Sequence, residues 1–442
     1  MKIAIVGTGI AGNVAAYHLN KKHDITVYEA ADYVGGHTHT HDINWLGDRQ
    51  KIDTGFIVFN QKTYPNFINL LNELGVKYQS SDMSFSVQAK ADGIEYNGNT
   101  LNSLFAQRSN LFKPRFYRMI LDILRFNKES LELLALSGDS ITLGEYLKMK
   151  EYSQQFIDHY IVPMGAAIWS TDHQSMLSFP ARFFVQFFHN HGMLSVDERP
   201  QWYVIQGGSR SYLEPLIRSY KEKIKLSSAV EKIERHAEHV WVTASGERKQ
   251  YDYVFIASHS DQALELLEQP SPLEKKVLAA IPYTANQAVL HTDASVLPKK
   301  KLAWAAWNYH LLNEKREGVA LTYNMNILQG LNSKHTYCVS LNYKDHIDPN
   351  KIIKTLDYTH PFFSQTGVEA QTLHSKINGQ NRTFYCGAYW RYGFHEDGVV
   401  SSLRALKDFD QHISQLSDQA ANLTEVTEIT NEKQSLLWSR TA

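Results

Sequence analysis

Three glycines decide most of what this chain can become: Gly7, Gly9 and Gly12 follow directly on the Ile- and Val-rich stretch Lys2–Val6, and a helix-prone run, 11–19, comes next. Where a buried strand turns into a helix, glycines at this spacing divide the work. One makes the tight turn, one lets backbone approach a pyrophosphate, and one allows the helix to pack on the strand. The helix N-terminus then faces the phosphates with its free amides. A second apolar stretch, 25–28, ends at Glu29, 20 residues beyond Gly9, where a carboxylate accepts hydrogen bonds from an adenosine ribose. The segment is therefore expected to bind a dinucleotide. Beyond Glu29 comes a further glycine pair, Gly35 and Gly36, followed by His37. NAD does not need a second close approach of backbone, whereas FAD with its ribityl chain does, so FAD is the expected cofactor.

Composition narrows the rest. The 442 residues carry 45 Lys+Arg against 46 Asp+Glu, a formal charge of -1 that gives no reason to expect a nucleic-acid partner. With 43% hydrophobic and 21% charged residues the chain is expected to fold, and its length suggests two domains. Cys338 and Cys386 are too few for a disulfide framework or a thiolate metal site, which points to a reducing, cytoplasmic setting. The opening stretch has glycines where a signal peptide needs an apolar core, and no apolar run reaches the ~18 residues of a spanning helix. A soluble protein is expected, with peripheral contact at the inner face of a membrane left open.

The pattern V-G-x-G-I-A-G, then YEA, GGH and Ile52-Asp53-Thr54-Gly55-Phe56, resembles the superfamily of flavin-containing amine oxidases, protoporphyrinogen oxidases and phytoene desaturases. Four further segments, 55–67 (GFIVFNQKTYPNF), 163–170 (PMGAAIWS), 321–329 (LTYNMNILQ) and 387–398 (GAYWRYGFHEDG), are similar to a bacterial group of FAD-binding proteins related to the flavin domain that precedes plant cyclopropane fatty acid synthases. The resemblance spans almost the whole chain. It implies an α/β fold in which an FAD-binding Rossmann-like domain of the glutathione-reductase type (1–61, 201–282 and 376–424) is interleaved with an α+β substrate domain (62–200 and 283–375). Residues 62–200 read as largely helical, 303–309 as a strand, and 425–442 as a weakly structured tail.

The resemblance also implies where the cofactor is touched. At the first turn these are Gly7, Gly9, Ile10, Ala11 and Gly12, with Glu29 and Ala30 after the second strand and Gly36, His37 and Thr38 in the second loop. Gly55, Phe56, Val230 and Ala257 extend the N-terminal half. Gly387, Asp397, Gly398 and Val399 form the C-terminal half, where a helix N-terminus would point free amides at the flavin pyrimidine carbonyl and Asp397 or Glu396 would bond the ribityl chain. The alternative there is an ordinary helix entry capped by Asp397.

Amine oxidases place a lysine on a substrate-domain strand to hold water against the flavin, but the corresponding stretch 286–291 has none. His291 at its end is a candidate base or water-holder, or a packed strand histidine. Tyr389, Tyr392 and Phe394 would wall the flavin or pack between domains, and His395 would reach the ring. His37, His39 and His41 alternate as metal ligands do, but no nearby cysteine completes a site and no metal is expected. Gly207 and Gly208, before Ser209 and Arg210, read either as an anion site or as a turn with Ser209 as cap.

One stretch hints at the substrate. Residues 101–128 hold Arg108, Lys113, Arg115, Arg118, Arg125 and Lys128 against Asp122 alone, interleaved with Leu, Ile, Phe and Tyr. Such a segment either docks on anionic lipid or packs an apolar face inward and solvates a basic one. The expected function is an FAD-dependent oxidoreductase that removes two hydrogens from a hydrophobic small molecule, a lipid acyl chain among the choices. A redox-neutral sugar-nucleotide mutase would need an arginine-lined cleft. A prenyl-binding protein of the GDP-dissociation-inhibitor type would have no use for Glu29 and two glycine loops.

Overall fold

The computed structural model describes residues 1–135, 141–195, 199–312 and 318–438, with side chains as far as residue 418. Lys2–Val6 lies at the centre of a five-stranded parallel sheet ordered Ile224–Lys225, Asp24–Tyr28, Lys2–Val6, Tyr253–Ile256, Thr383–Tyr385. Its near-continuous apolar burial is what a parallel strand covered on both faces requires. One face packs Ile3, Ile5, Phe255 and Phe384 against Ala15 and Ala16 of the first helix, Ile10–Leu19, and against Ala405 and Phe409 of the last, His395–Trp438. The other face is covered by an antiparallel sheet of Val230–Arg235, Val240–Ala244 and Glu247–Tyr251, together with the helices Ser260–Leu266 and Pro272–Leu278.

The second sheet has seven strands in the order Ile352–Pro361, Tyr283–His291, Cys338–Leu341, Leu321–Asn324, Trp307–Leu311, Phe85–Ala89, Ile94–Asn97. Alternate residues face opposite ways: Ala288, Leu290, Val339, Leu321, Tyr309 and Val87 meet the helical layer, while Val289 packs in a separate outer cluster with Tyr343. That helical layer includes Pro114–Glu129, Val162–Trp169 and Ala181–Asn190.

Several elements depart from expectation for tertiary reasons. Inside the stretch read as helical lie the strands Tyr78–Ser81, Phe85–Ala89 and Ile94–Asn97, two of which pair with Trp202–Ile205 and Trp307–Leu311, far along the chain. Residues 301–303 form a 3-10 turn, so the strand near 303–309 begins only at Trp307. The last helix continues to Trp438, through most of the expected tail; residues 439–442 lie outside the described residues. No helix among the described residues is long and apolar enough to cross a membrane.

Candidate active site

The first glycine turn is built as its spacing requires. Gly7 has φ +98° and donates its N–H to the Tyr28 carbonyl at 2.8 Å, tying the ends of two strands together. A Cβ on Gly12 would lie 2.0 Å from the Gly7 carbonyl oxygen, so that glycine serves packing. A Cβ on Gly9 would meet nothing within 4 Å: Gly9 faces open space. The helix behind it has no side-chain cap and no acidic residue in its first turn, which leaves its N-terminal amides to an anion. Glu29 is held over this turn by the amides of Thr8 and Ala31, each at 2.9 Å, and by the Thr8 hydroxyl. The amides of Ser227 and Ser228 bond the carbonyls of Ala31 and Glu29, bringing the segment before Val230 alongside Ala30. Ala257 donates to the Val6 carbonyl and lines the base of the turn against Gly7.

The second loop lies against the first, since a Cβ on Gly36 (φ +56°) would sit 3.3 Å from the Gly9 Cα. Gly55 and Phe56 close on the same loop, with the Phe56 N–H donating to the His37 carbonyl at 2.6 Å. The His37 ring is half-buried, desolvation pushes its pKa down to about 4, and its shielded Nε2 has no partner among the described residues. Around it stand Tyr358 at 5.0 Å, His360 at 5.4 Å and His259 at 6.4 Å between ring centres, and the buried His360 Nδ1 is likewise unpartnered. An open cradle at Gly9, uncapped amides, a fixed carboxylate and unsatisfied buried nitrogens fit a dinucleotide lying across both loops.

The end of the chain reaches the same place. A Cβ on Gly398 would press on Ile10 Cγ2 at 2.6 Å and lie 3.7 Å from the Ala11 amide nitrogen, so two helix N-termini meet there with Val399 buried behind. The His395 ring stacks on Phe56 at 3.7 Å, and its Nε2 lies 2.7 Å from the Tyr212 hydroxyl, which is 2.6 Å from Thr38 Oγ1. Burial holds this imidazole neutral, and it serves to join the two halves of the site.

Other expected residues are placed differently. Glu396 accepts from the amides of Asn66 and Phe67, capping the helix Pro65–Glu73. Asp397, raised by burial to about 6, accepts from the amides of Tyr392 and Phe394 and faces Arg391 at 3.3 Å. Both carboxylates expected at the ribityl chain are thus engaged by the protein itself. The Gly387 amide donates to Ser401 Oγ, while Tyr389 is buried with Trp390 in the core under the parallel sheet, its hydroxyl without a partner among the described residues.

His291 is removed from the site by register. It lies at the far end of the strand from Tyr283, whose ring stacks on His259, a distance of roughly 26 Å along the strand. It points to the outer face, and both ring nitrogens are engaged, by Ser340 Oγ at 2.8 Å and the Asp293 amide at 3.1 Å. His39 and His41 meet Tyr358 and Thr54, each at 3.1 Å, and among the described residues no three side chains are grouped to hold a metal.

The turn at Gly207 and Gly208 is filled by the protein's own carboxylate. Asp53, fully buried and raised by that burial to about 6, accepts from the Ser209 amide and hydroxyl and from Gln329 Nε2 at 3.1 Å. Asp53 stood in the quoted motif and carried a signal; Tyr212, His259, Tyr358 and His360 come from segments with no recognisable pattern, and only the fold brings them together.

Two glycine loops, a carboxylate beyond the second strand and a returning helix N-terminus define a dinucleotide-binding oxidoreductase of the flavoprotein kind. The sequence profile of the flavin containing amine oxidoreductase family matches residues 10–324, and the chain belongs to that family. Its cofactor is FAD, which when bound supplies the acceptor for a hydride or its electrons. Solved structures share the fold. Cyclohexylamine oxidase from Brevibacterium oxydans is 14% identical, with a TM-score of 0.67 over 93% of this chain and 99% of that one. Putrescine oxidase bound to putrescine gives the same identity, score and coverage. A CLA-producing fatty acid isomerase from P. acnes is 15% identical, with a TM-score of 0.64 over 92% of this chain and 98% of that one. No curated protein sequence matches significantly.

Proposed function

We propose that this oxidoreductase acts on a hydrophobic substrate, a lipid acyl chain or a molecule of similar apolarity. The observation that carries the reading is an aromatic wall running from the helical layer to the C-terminal turn: Trp169 packs on Phe187 at 4.8 Å, Phe183 on Tyr392 at 4.7 Å and Phe187 on Phe394 at 5.0 Å. On the strand where the resembled amine oxidases carry lysine, the residues facing this layer include Ala288 and Leu290. A cleft of about 350 Å³ beside Tyr392 and Phe394 is lined by Lys62, Asn66, His191 and Arg391, which suits the polar end of an amphiphile. The neighbour named as a fatty acid isomerase agrees with this choice.

Within the site, the chain's own contribution is to hold and to exclude. Glu29 and the first-helix amides orient the nucleotide, neutral His37 and His395 add no charge beside the flavin, and the aromatics keep water out. The test is anaerobic mixing of the yellow protein with fatty acids, acyl lipids and primary amines. Bleaching by an acyl substrate is expected; bleaching by amines alone would overturn the proposal.

A further inference from the structure

Residues 101–131 present to the outside what a helical segment normally hides. Of the fourteen exposed large apolar side chains among the described residues, seven lie in this stretch, so the exposure is a patch and not a scatter. Phe112 is 86% exposed, Leu101 78%, Leu121 61% and Leu124 50%. On the helix Pro114–Glu129, Phe116, Met119 and Phe126 form the stripe buried against the helical layer. Tyr117, Leu121, Leu124 and Lys128 recur at helical spacing on a different stripe, and this one faces out. The helix therefore has two apolar faces, one of which the protein leaves uncovered.

The fold adds, beside the start of this stretch, cations that the sequence does not place there. The backbone amides of Lys299 and Lys300 donate to the Glu95 carboxylate at 3.2 and 3.3 Å, which sets the exposed triplet 299–301 beside the strand Ile94–Asn97. Leu302, next to the triplet, is 43% exposed. Arg115, Arg118 and Lys128 stand exposed on the helix, and its one internal carboxylate, Asp122, is buried between Arg118 and Arg125 at 3.3 and 3.4 Å. A positive patch on a chain of net charge -1 is a local construction and not a reflection of overall basicity.

We infer that this face docks on an anionic lipid bilayer, with Phe112, Leu121 and Leu124 entering the headgroup boundary and the lysine triplet and helix arginines gathering acidic headgroups. Charge selects this occupant. A second copy on a two-fold axis would set the positive patch against itself, whereas an acidic membrane surface complements it. The inference stands on surface residues alone and is independent of the substrate reading.

The test is co-sedimentation of the full-length FAD-loaded protein with phosphatidylglycerol/phosphatidylcholine vesicles and with phosphatidylcholine vesicles, at low and high salt. The bound fraction is expected to be about tenfold higher on the anionic vesicles and to fall with salt. The double variant Phe112→Glu/Leu121→Glu, and separately Lys299→Glu/Lys300→Glu/Lys301→Glu, are each expected to lose most of that binding while keeping the yellow spectrum and the thermal midpoint. Equal binding to both vesicle types, or variants that bind like the parent, would overturn it. So would a dimer of the parent protein that Leu121→Glu dissociates, which would assign the face to a second copy.

Discussion

Glycines that look equivalent in the fingerprint do different physical work, and substitution separates them. Gly9→Val places its side chain in open space, so the fold is expected to survive while the cradle fills and FAD is lost. Gly12→Val drives a side chain into the Gly7 carbonyl, 2.0 Å from its Cβ position, and is expected to cost about 3 kcal/mol or more of stability. Thermal unfolding and visible absorbance of the two purified variants read these outcomes apart; a colourless but unfolded Gly9→Val, or a stable Gly12→Val, would contradict them. The placement of Gly9, Gly12 and Glu29 at one turn was legible because backbone geometry at a strand-to-helix turn admits few residues. His360 and Tyr358 were not, because nothing local marks a strand residue whose partner, His37, lies more than 300 positions earlier.

At the level of elements, period-2 alternation decides which side chains share a face, and it settled His291 in a way that its identity alone did not. His291 starts a buried polar chain across the outer face of the seven-stranded sheet, through Ser340, Thr322 and His310, with successive separations of 2.8, 2.7 and 2.8 Å. His291→Ala is therefore expected to lower stability by about 1–3 kcal/mol, by leaving the buried Asp293 amide without its acceptor, and to leave flavin reduction by substrate within about twofold. A selective loss of reduction rate at unchanged stability would return His291 to the site. The strands Phe85–Ala89 and Ile94–Asn97 escaped a local reading because they complete a sheet whose other strands lie some two hundred residues further on, and the helices around them set the local texture. The apolar strands Tyr253–Ile256 and Lys2–Val6 were legible because parallel central strands must be apolar on both faces.

Over the whole molecule the buried and half-buried histidines set the response to pH. Burial holds His37, His191, His259, His291 and His374 down to about 4, and His310 and His360 down to about 3. An unfolded imidazole titrates near 6.5, so the stability these groups contribute is complete above that pH and is lost as pH falls toward 4. Asp53 and Asp397, raised to about 6, act in the opposite sense, their contribution being complete below about 4 and lost as pH rises through 6. The histidines outnumber them, and the thermal midpoint is expected to fall by several degrees between pH 7 and pH 5; a midpoint unchanged or higher at pH 5 would contradict this. Closure of the two ends of the chain on one cofactor is tested most directly by a crystal structure of the purified yellow protein. The expected density is one FAD per chain, its pyrophosphate on the amides of Gly9, Ile10 and Ala11 and its ring at the turn that begins the helix at His395. FAD bound elsewhere, or none between these two segments, would contradict it.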